Sequence, residues 1–304
     1  MAIVTRVTQG LLVQRSLNNL NQQLRRISVL QERLATGRRV NRPSDDPMDA
    51  RRAMNLRTII AKNEQFQANI SDSSPHLDES ASILMNVVDI ILRTLELTTQ
   101  GANETLRQEQ LNAIALEIDE LRETAVVAGN HRTNNRSIFA GTQTLSDAFN
   151  VTRVAGQITA VTYAGNDQSI EINISEGIRT KINVTGADTF QANVDIFAVL
   201  IGIRDDLLAG DQASLQIVRL AELEAGREQT LMAVAQIGAI QNRLERVSND
   251  LQDFNIEFQE LLSDKIDADF AETVLGLTVA ETAFRAALNA TARVLQPSLL
   301  DFIH

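Results

Sequence analysis

Eight apolar residues fall on one line at alternating steps of three and four: Ile237, Ile240, Leu244, Val247, Leu251, Phe254, Phe258 and Leu261. This is the seam of a heptad repeat, and it commits the segment to a long helix whose narrow apolar stripe packs on another helix. In a chain that is 44% apolar, chance fills eight such slots roughly once in seven hundred trials, or about once in a hundred after choosing among seven registers. Asn242, Arg243, Glu245 and Arg246 between them suit a solvated face. The segment reads as a coiled-coil-grade helix.

Both chain ends repeat the device. Val13, Leu17, Leu20, Leu24, Ile27 and Leu34 share a seam broken only by Gln31, which predicts a helix over 10–34 ending around Gly37. Such a helix is about 37 Å long at about 1.5 Å per residue. Phe270, Val274, Leu277, Phe284, Leu288 and Leu295 share another, broken by Glu281 and Thr291. Narrow stripes gain stability mainly from packing, so each end needs a partner. The economical partner for each is the other. These twelve apolar residues are the candidate assembly interface, and the ends are expected to be mobile in a monomer and to order on assembly.

Further helical stretches follow Leu56, Ile59, Phe66 and Ile70, then Leu77, Leu84, Val87 and Ile91, with Ser74-Pro75 expected to kink or divide the run. Leu111, Ile114, Ile118, Leu121 and Ala125 mark another, after the breaker Gly101-Ala102-Asn103. The period then changes to two: in residues 158–186 Ile170, Ile172 and Ile174 face one way and Glu171 and Asn173 the other, with turns at 164–167 and 175–177. The expected fold is mainly α, an elongated helical bundle or coiled-coil rod formed by both chain ends. A small antiparallel β-rich domain of three or four strands is inserted in its middle. The boundaries are terminal segments 1–40 and 268–304, a rod of 41–149 and 198–267, and an insert of 150–197.

Composition agrees. Ten Phe, one Tyr and no Trp in 304 residues favour thin packing by Leu, Ile, Val and Ala over aromatic-walled pockets. Without cysteine, disulfides, thiol catalysis and Cys-ligated zinc are excluded. No apolar run approaches the ~20 residues of a membrane span, so no membrane partner is expected. The opening residues hold no continuous apolar stretch of a cleaved signal peptide. The net charge of −11 is uneven, because residues 1–62 hold 12 Lys/Arg against 4 Asp/Glu. A basic arm on an acidic body could grip nucleic acid. The favoured reading instead pairs it with the ten acids of residues 245–281, in this chain or a neighbour.

The densest charge cluster, "RRVNRPSDDPMDARRA" (38–53), reads as punctuation. Pro47 suits the first helical position, which puts Asp46 at the N-cap and Asp49 near the positive helix end. A cap accounts for two of three aspartates, and Asp45 remains for an Arg. His76, His131 and His304 share no ligand spacing and suit surface or turn positions, and residues 264–269 bunch carboxylates at the spacing of a solvated helix face. No Walker loop, GxGxxG, HExxH, EF-hand or GxSxG pattern occurs. No catalytic residue, metal site or cofactor is assigned, and an enzyme is not expected.

The motif "LATGRRVNRPSDDPMDA" (34–50) resembles the signature near the N-terminus of the hook-associated protein 3 family, relatives of flagellin at the bacterial hook–filament junction. "QGANET" (100–105), "SIFAGTQT" (137–144) and "PSLLDFI" (297–303) are similar to that family too. The chain departs from it at "NHRTNNRSIFAG", where a glycine–aromatic pair is usual and Asn134-Asn135 must supply the turn. The resemblance implies a structural adaptor with other copies of itself in a ring, another hook-associated protein on the hook side and flagellin on the filament side. It also implies export without a cleaved signal to the extracellular flagellum, with a chaperone on the C-terminal segment. A short flagellin is the alternative, and a nucleic-acid-binding module a more distant one.

Overall fold

The computed structural model describes residues 2–295, with side chains described from residue 13 to 292 and at Leu11. The order of elements is α1 (Ala2–Thr36), α2 (Pro47–Gly101), α3 (Gln108–Gly129), β1 (Arg132–Thr133), β2 (Arg136–Ser137), β3 (Phe149–Val154) and β4 (Gln157–Tyr163). Then come β5 (Glu171–Ser175), β6 (Ile178–Lys181), α4 (Gly186–Phe190), α5 (Ile196–Ala209) and the single turn α6 (Gln212–Ser214). A π-helical turn (Leu215–Arg219), α7 (Leu220–Ile266) and α8 (Phe270–Leu295) complete the chain. The protein is mainly helical, with long helices at both ends and short antiparallel strands between. It divides into two compact units, residues 1–62 with 254–304, and residues 63–253.

The larger unit owes its core to the expected helical faces. Leu77, Leu84, Val87 and Ile91 of α2, Leu111, Ile114 and Ile118 of α3, and Ile237, Leu244 and Leu251 of α7 are buried together. Gln67 donates to the Ser248 carbonyl at 3.5 Å and Gln241 to Asp78 at 2.6 Å, tying α2 to α7. Helix α2 runs without a break through Pro75, contrary to the expected division. The hydroxyls of Ser73 and Ser74 bond the carbonyls of Asn69 and Ile70, and packing of the flanking Ile70 and Leu77 holds the helix where propensity would let it part.

The β region is four longer strands, but in separate hairpins and not one sheet: β3 pairs with β4, and β5 with β6. A third, two-residue ladder joins β1 to β2. Its turn is Asn134-Asn135, with φ of 49° and 63°. Positive φ at both central positions is the type I′ geometry that matches strand twist, and asparagine tolerates it better than most residues. Aromatic side chains are concentrated where strands meet helices. Phe149 packs on Phe190, Phe197 and Tyr163 with centroids 5.2, 4.9 and 5.5 Å away, and Phe139 meets Phe190 edge-on. Four of the ten phenylalanines therefore nail the strands to α5, while the long helices pack mainly with aliphatic residues.

One charged group is fully buried in this unit. Arg122 of α3 is 1% exposed, and its Nη1 lies 3.0 Å from Asp119. Arg204 of α5 approaches the same carboxylate at 3.8 Å. Burial holds the Arg122 guanidinium below its ordinary pKa, because desolvation disfavours the charged form.

Candidate assembly surface of the chain ends

The unit of the chain ends is organised by the Arg/Asp cluster. Gly37, at φ 69°, ends α1 in the left-handed conformation that glycine adopts without strain. Its carbonyl accepts from Ala268 N at 2.9 Å, while Arg39 N donates to the Ile266 carbonyl at 2.7 Å. Asp46 caps α2: its Oδ1 accepts from Met48 N and Asp49 N at 3.1 and 3.0 Å, and Pro47 opens the helix where no N–H is required. Asp45 accepts from the backbone N–H groups of Arg42 and Asn41 at 2.8 and 3.0 Å, a loop brace and not a side-chain pair with Arg. The Arg42 N–H holds Asp45 below the usual carboxylate pKa, and the Asp49 N–H does the same for Asp46.

Arg39 completes the clasp. It reaches Asp49 at 2.5 Å, the Lys265 carbonyl at 2.6 Å and Asp46 at 3.5 Å. Val40, Ala53 and Ile266 are buried beneath it. The cluster thus joins the end of α1, the start of α2 and the end of α7. Within one chain, Arg39, Arg42 and Arg52 form no ion pair with the acids of 245–281 among the described residues. These three arginines pair with Glu32, Asp46 and Asp49 of the arm itself, because the loop turns Arg39 and Arg42 back on their own neighbours. Among the described residues, no three His, Cys, Asp or Glu side chains converge to hold a metal ion.

Helices α1 and α8 pack on each other. The face that α1 turns inward holds Val13, Ser16, Leu20, Gln23, Ile27, Leu30 and Leu34, which is the expected line at Val13, Leu20, Ile27 and Leu34 only. Leu17 and Leu24 lie beside it, 46% and 47% exposed. On α8 the covered line is Thr273, Leu277, Ala280, Phe284, Ala287 and Thr291. Leu277 and Phe284 were expected there, but Phe270, Val274 and Leu288 are exposed. The side chain of Leu295, like the "PSLLDFI" stretch, lies outside the described residues. The small residues Thr273, Gly276, Ala280 and Ala287 were the missed signal. Leu30 lies over Gly276, where an added Cβ would make an ordinary contact at 3.7 Å.

Helix α7 departs from its heptad in the same unit. Its buried line follows Ile237, Ile240, Leu244, Val247 and Leu251, then continues through Asn255, Phe258, Leu262 and Ile266. Phe254 and Leu261 stay 50% and 42% exposed. From Leu251 to Leu262 the seam runs over eleven residues, so the local period lengthens from 3.5 toward about 3.67 residues per turn. Two half-exposed apolar rows, on α1 with α8 and on α7, are the result.

Residues 9–144 match the model of the bacterial flagellin N-terminal helical region. That stretch, a little under half of the chain, is similar to the flagellins. The chain is 25% identical over 283 residues to the flagellar hook-associated protein 3 of Escherichia coli, covering 85% of this chain and 87% of the relative. A flagellar filament 30.7 kDa core protein of Treponema maltophilum is also 25% identical over 275 residues, covering 88% and 90%. The fold is that of the flagellar junction protein FlgL from Legionella pneumophila, with a TM-score of 0.58 at 15% identity over 70% of this chain and 100% of that one. By name, these relatives are proteins of the bacterial flagellum.

Proposed function

We propose that this chain is a structural adaptor of the bacterial flagellum, joining the hook, through another hook-associated protein, to the flagellin filament. The observation that carries the reading is the uncovered apolar row left when α1 and α8 have paired: Leu17, Leu24, Phe270, Val274 and Leu288 stay in water. Contiguous exposed apolar surface on long helices marks a surface made for a neighbour. In this reading the segments 1–40 and 268–304 form the working ends, copies associate in a ring outside the cell, and a chaperone guards the C-terminal segment until export without a cleaved signal. The likeness to the hook-associated protein 3 of Escherichia coli along most of both chains supports the adaptor role.

The similar match to a Treponema filament core protein keeps one other reading, a short flagellin that forms the filament itself. Adding purified full-length protein to sheared flagellin filaments and measuring what pellets separates them. A small amount that saturates in proportion to filament ends is expected of an adaptor, whereas growth without limit would identify a flagellin. The Leu24→Asp variant should keep its helical signal, because Leu24 is half in solvent, and should no longer pellet with filament ends. Normal attachment by that variant would overturn the role given to the exposed row.

A further inference from the structure

Between α1 and α8 lies a groove of about 730 Å³. Its floor is apolar, with Val29, Leu275 and Val279 about half or more exposed. One wall carries Arg25, Arg26 and Arg33. Arg25 and Arg26 are exposed and, among the described residues, form no ion pair, and the Nε of Arg33 is buried without a hydrogen-bond acceptor. Asp269, which caps α8 through the Glu272 N–H, and Glu272 also line the groove, so Arg25, Arg26 and Arg33 leave it a small excess of positive charge. An apolar strip beside two arginines that form no ion pair suits an amphipathic acidic helix.

The chain carries such a helix face itself. On the last turns of α7, Phe254 and Leu261 are exposed because the seam has shifted past them. The helical period sets Glu257, Glu260 and Asp264 along their flank, all exposed. Glu257 and Glu260 form no ion pair among the described residues, and Asp264 meets only its neighbour Lys265. A row of carboxylates on one helix face repels itself until cations are brought to it.

We infer that the groove between α1 and α8 receives the Phe254–Asp264 face of α7 from a second copy of this chain. Phe254 and Leu261 lie on Val29, Leu275 and Val279, and Glu257 and Glu260 reach Arg25 and Arg26. Each copy presents the groove at one contact and the helix at the next, so the contact is head-to-tail and propagates around a ring or along a stack. The inference rests on the adaptor reading only in taking the chain to assemble with itself.

The chain has no cysteine, so engineered thiols are unique. Full-length Val29→Cys protein is mixed with full-length Leu261→Cys protein and treated with a short bismaleimide. A second mixture replaces the latter with Leu145→Cys, whose position is 78% exposed and off the proposed contact. The expected result is a mixed dimer well above that control. It should fall about tenfold when Arg25 and Arg26 are both changed to Glu, because opposed charges become like ones across the contact. It should return when Glu257→Arg and Glu260→Arg are placed on the Leu261→Cys copy. Circular dichroism of each variant verifies that the helices persist. A dimer no stronger than the control, or one indifferent to charge reversal, overturns the inference. Filament-end pelleting is read separately: its loss with the cross-link intact removes the adaptor reading alone, and attachment without the cross-link removes this contact alone.

Discussion

The guanidinium of Arg39 lies 2.5 Å from the carboxylate of Asp49, and the same nitrogen lies 2.6 Å from the carbonyl oxygen of Lys265. One side chain therefore fastens the first turn of α2 to the last turn of α7. The Asp49 bond holds the Arg39 pKa above its ordinary value, so the group stays charged at any pH the protein meets. Arg39→Ala should cost about 1–2 kcal/mol, the range for charge-assisted bonds to a partly exposed group. A lower urea midpoint, with faster amide exchange at residues 39 and 40, is the expected result. Arg39→Lys should recover only part, since one ammonium lacks the second nitrogen that reaches Asp46 at 3.5 Å.

The buried pair around Asp119 predicts an asymmetry. Asp119→Ala leaves Arg122 and Arg204 without the carboxylate they share, and should destabilise the larger unit by on the order of 3 kcal/mol. Arg122→Met removes the buried charge itself and should be close to neutral. Thermal unfolding of both variants tests this. Equal losses would mean that the ion pair matters less than the packing of the Arg122 stem.

His76 predicts an acid-sensitive step. Contrary to the surface or turn position expected for every histidine, its ring is half-buried in a cleft with Ser137, and Nε2 is buried without a partner. Burial holds its pKa below the ordinary imidazole value, and Glu79 opposes that shift only in part. The unfolded chain therefore binds more protons here. Stability is full above about pH 6.5, falls as pH drops below it, and stops falling below the folded pKa. Glu79 adds a second loss at lower pH. Thr133 above all, and His131 at 2.8 Å, hold its pKa down, so this contribution disappears as pH falls through the depressed folded value. His76→Phe should flatten the first step and leave the second, as measured by chemical unfolding from about pH 7.5 down to about pH 4.

Two glycines separate backbone strain from steric exclusion. Gly141 and Gly156 both have positive φ, at 65° and 85°. A Cβ on Gly141 would collide with the carbonyl of Asn166, whereas one on Gly156 would meet nothing. Gly156→Ala should cost about 1 kcal/mol for the conformation alone. Gly141→Ala should cost more, about 2–3 kcal/mol, because Asn166 must also move. Melting temperatures rank the two.

Much of this architecture can be read from residue spacing. The heptad from Ile237 to Leu251 and the cap at Asp46 follow from rules that act over a few residues. The seam beyond Leu251 does not, because Asn255 and Leu262 are chosen by packing at the other end of the sequence. Leu17 and Leu24 match the heptad as well as Leu20 does. Only the small residues of α8 decide that Ser16 and Gln23 face inward. The meeting of Glu79 with His131 is likewise a long-range fact without a local signature.

The packing of α1 on α8 has a kinetic consequence. Leu30 and Gly276 meet only after almost the whole chain has been made, and closing a loop of that length costs about 5 kcal/mol of chain entropy before any contact returns it. The buried core of the larger unit is drawn from within residues 63–253, so it can fold first and shorten that loop. The earliest residues to emerge are thus among the last to settle. Stalling synthesis anywhere before α8 should leave α1 open to proteases while the larger unit is already resistant.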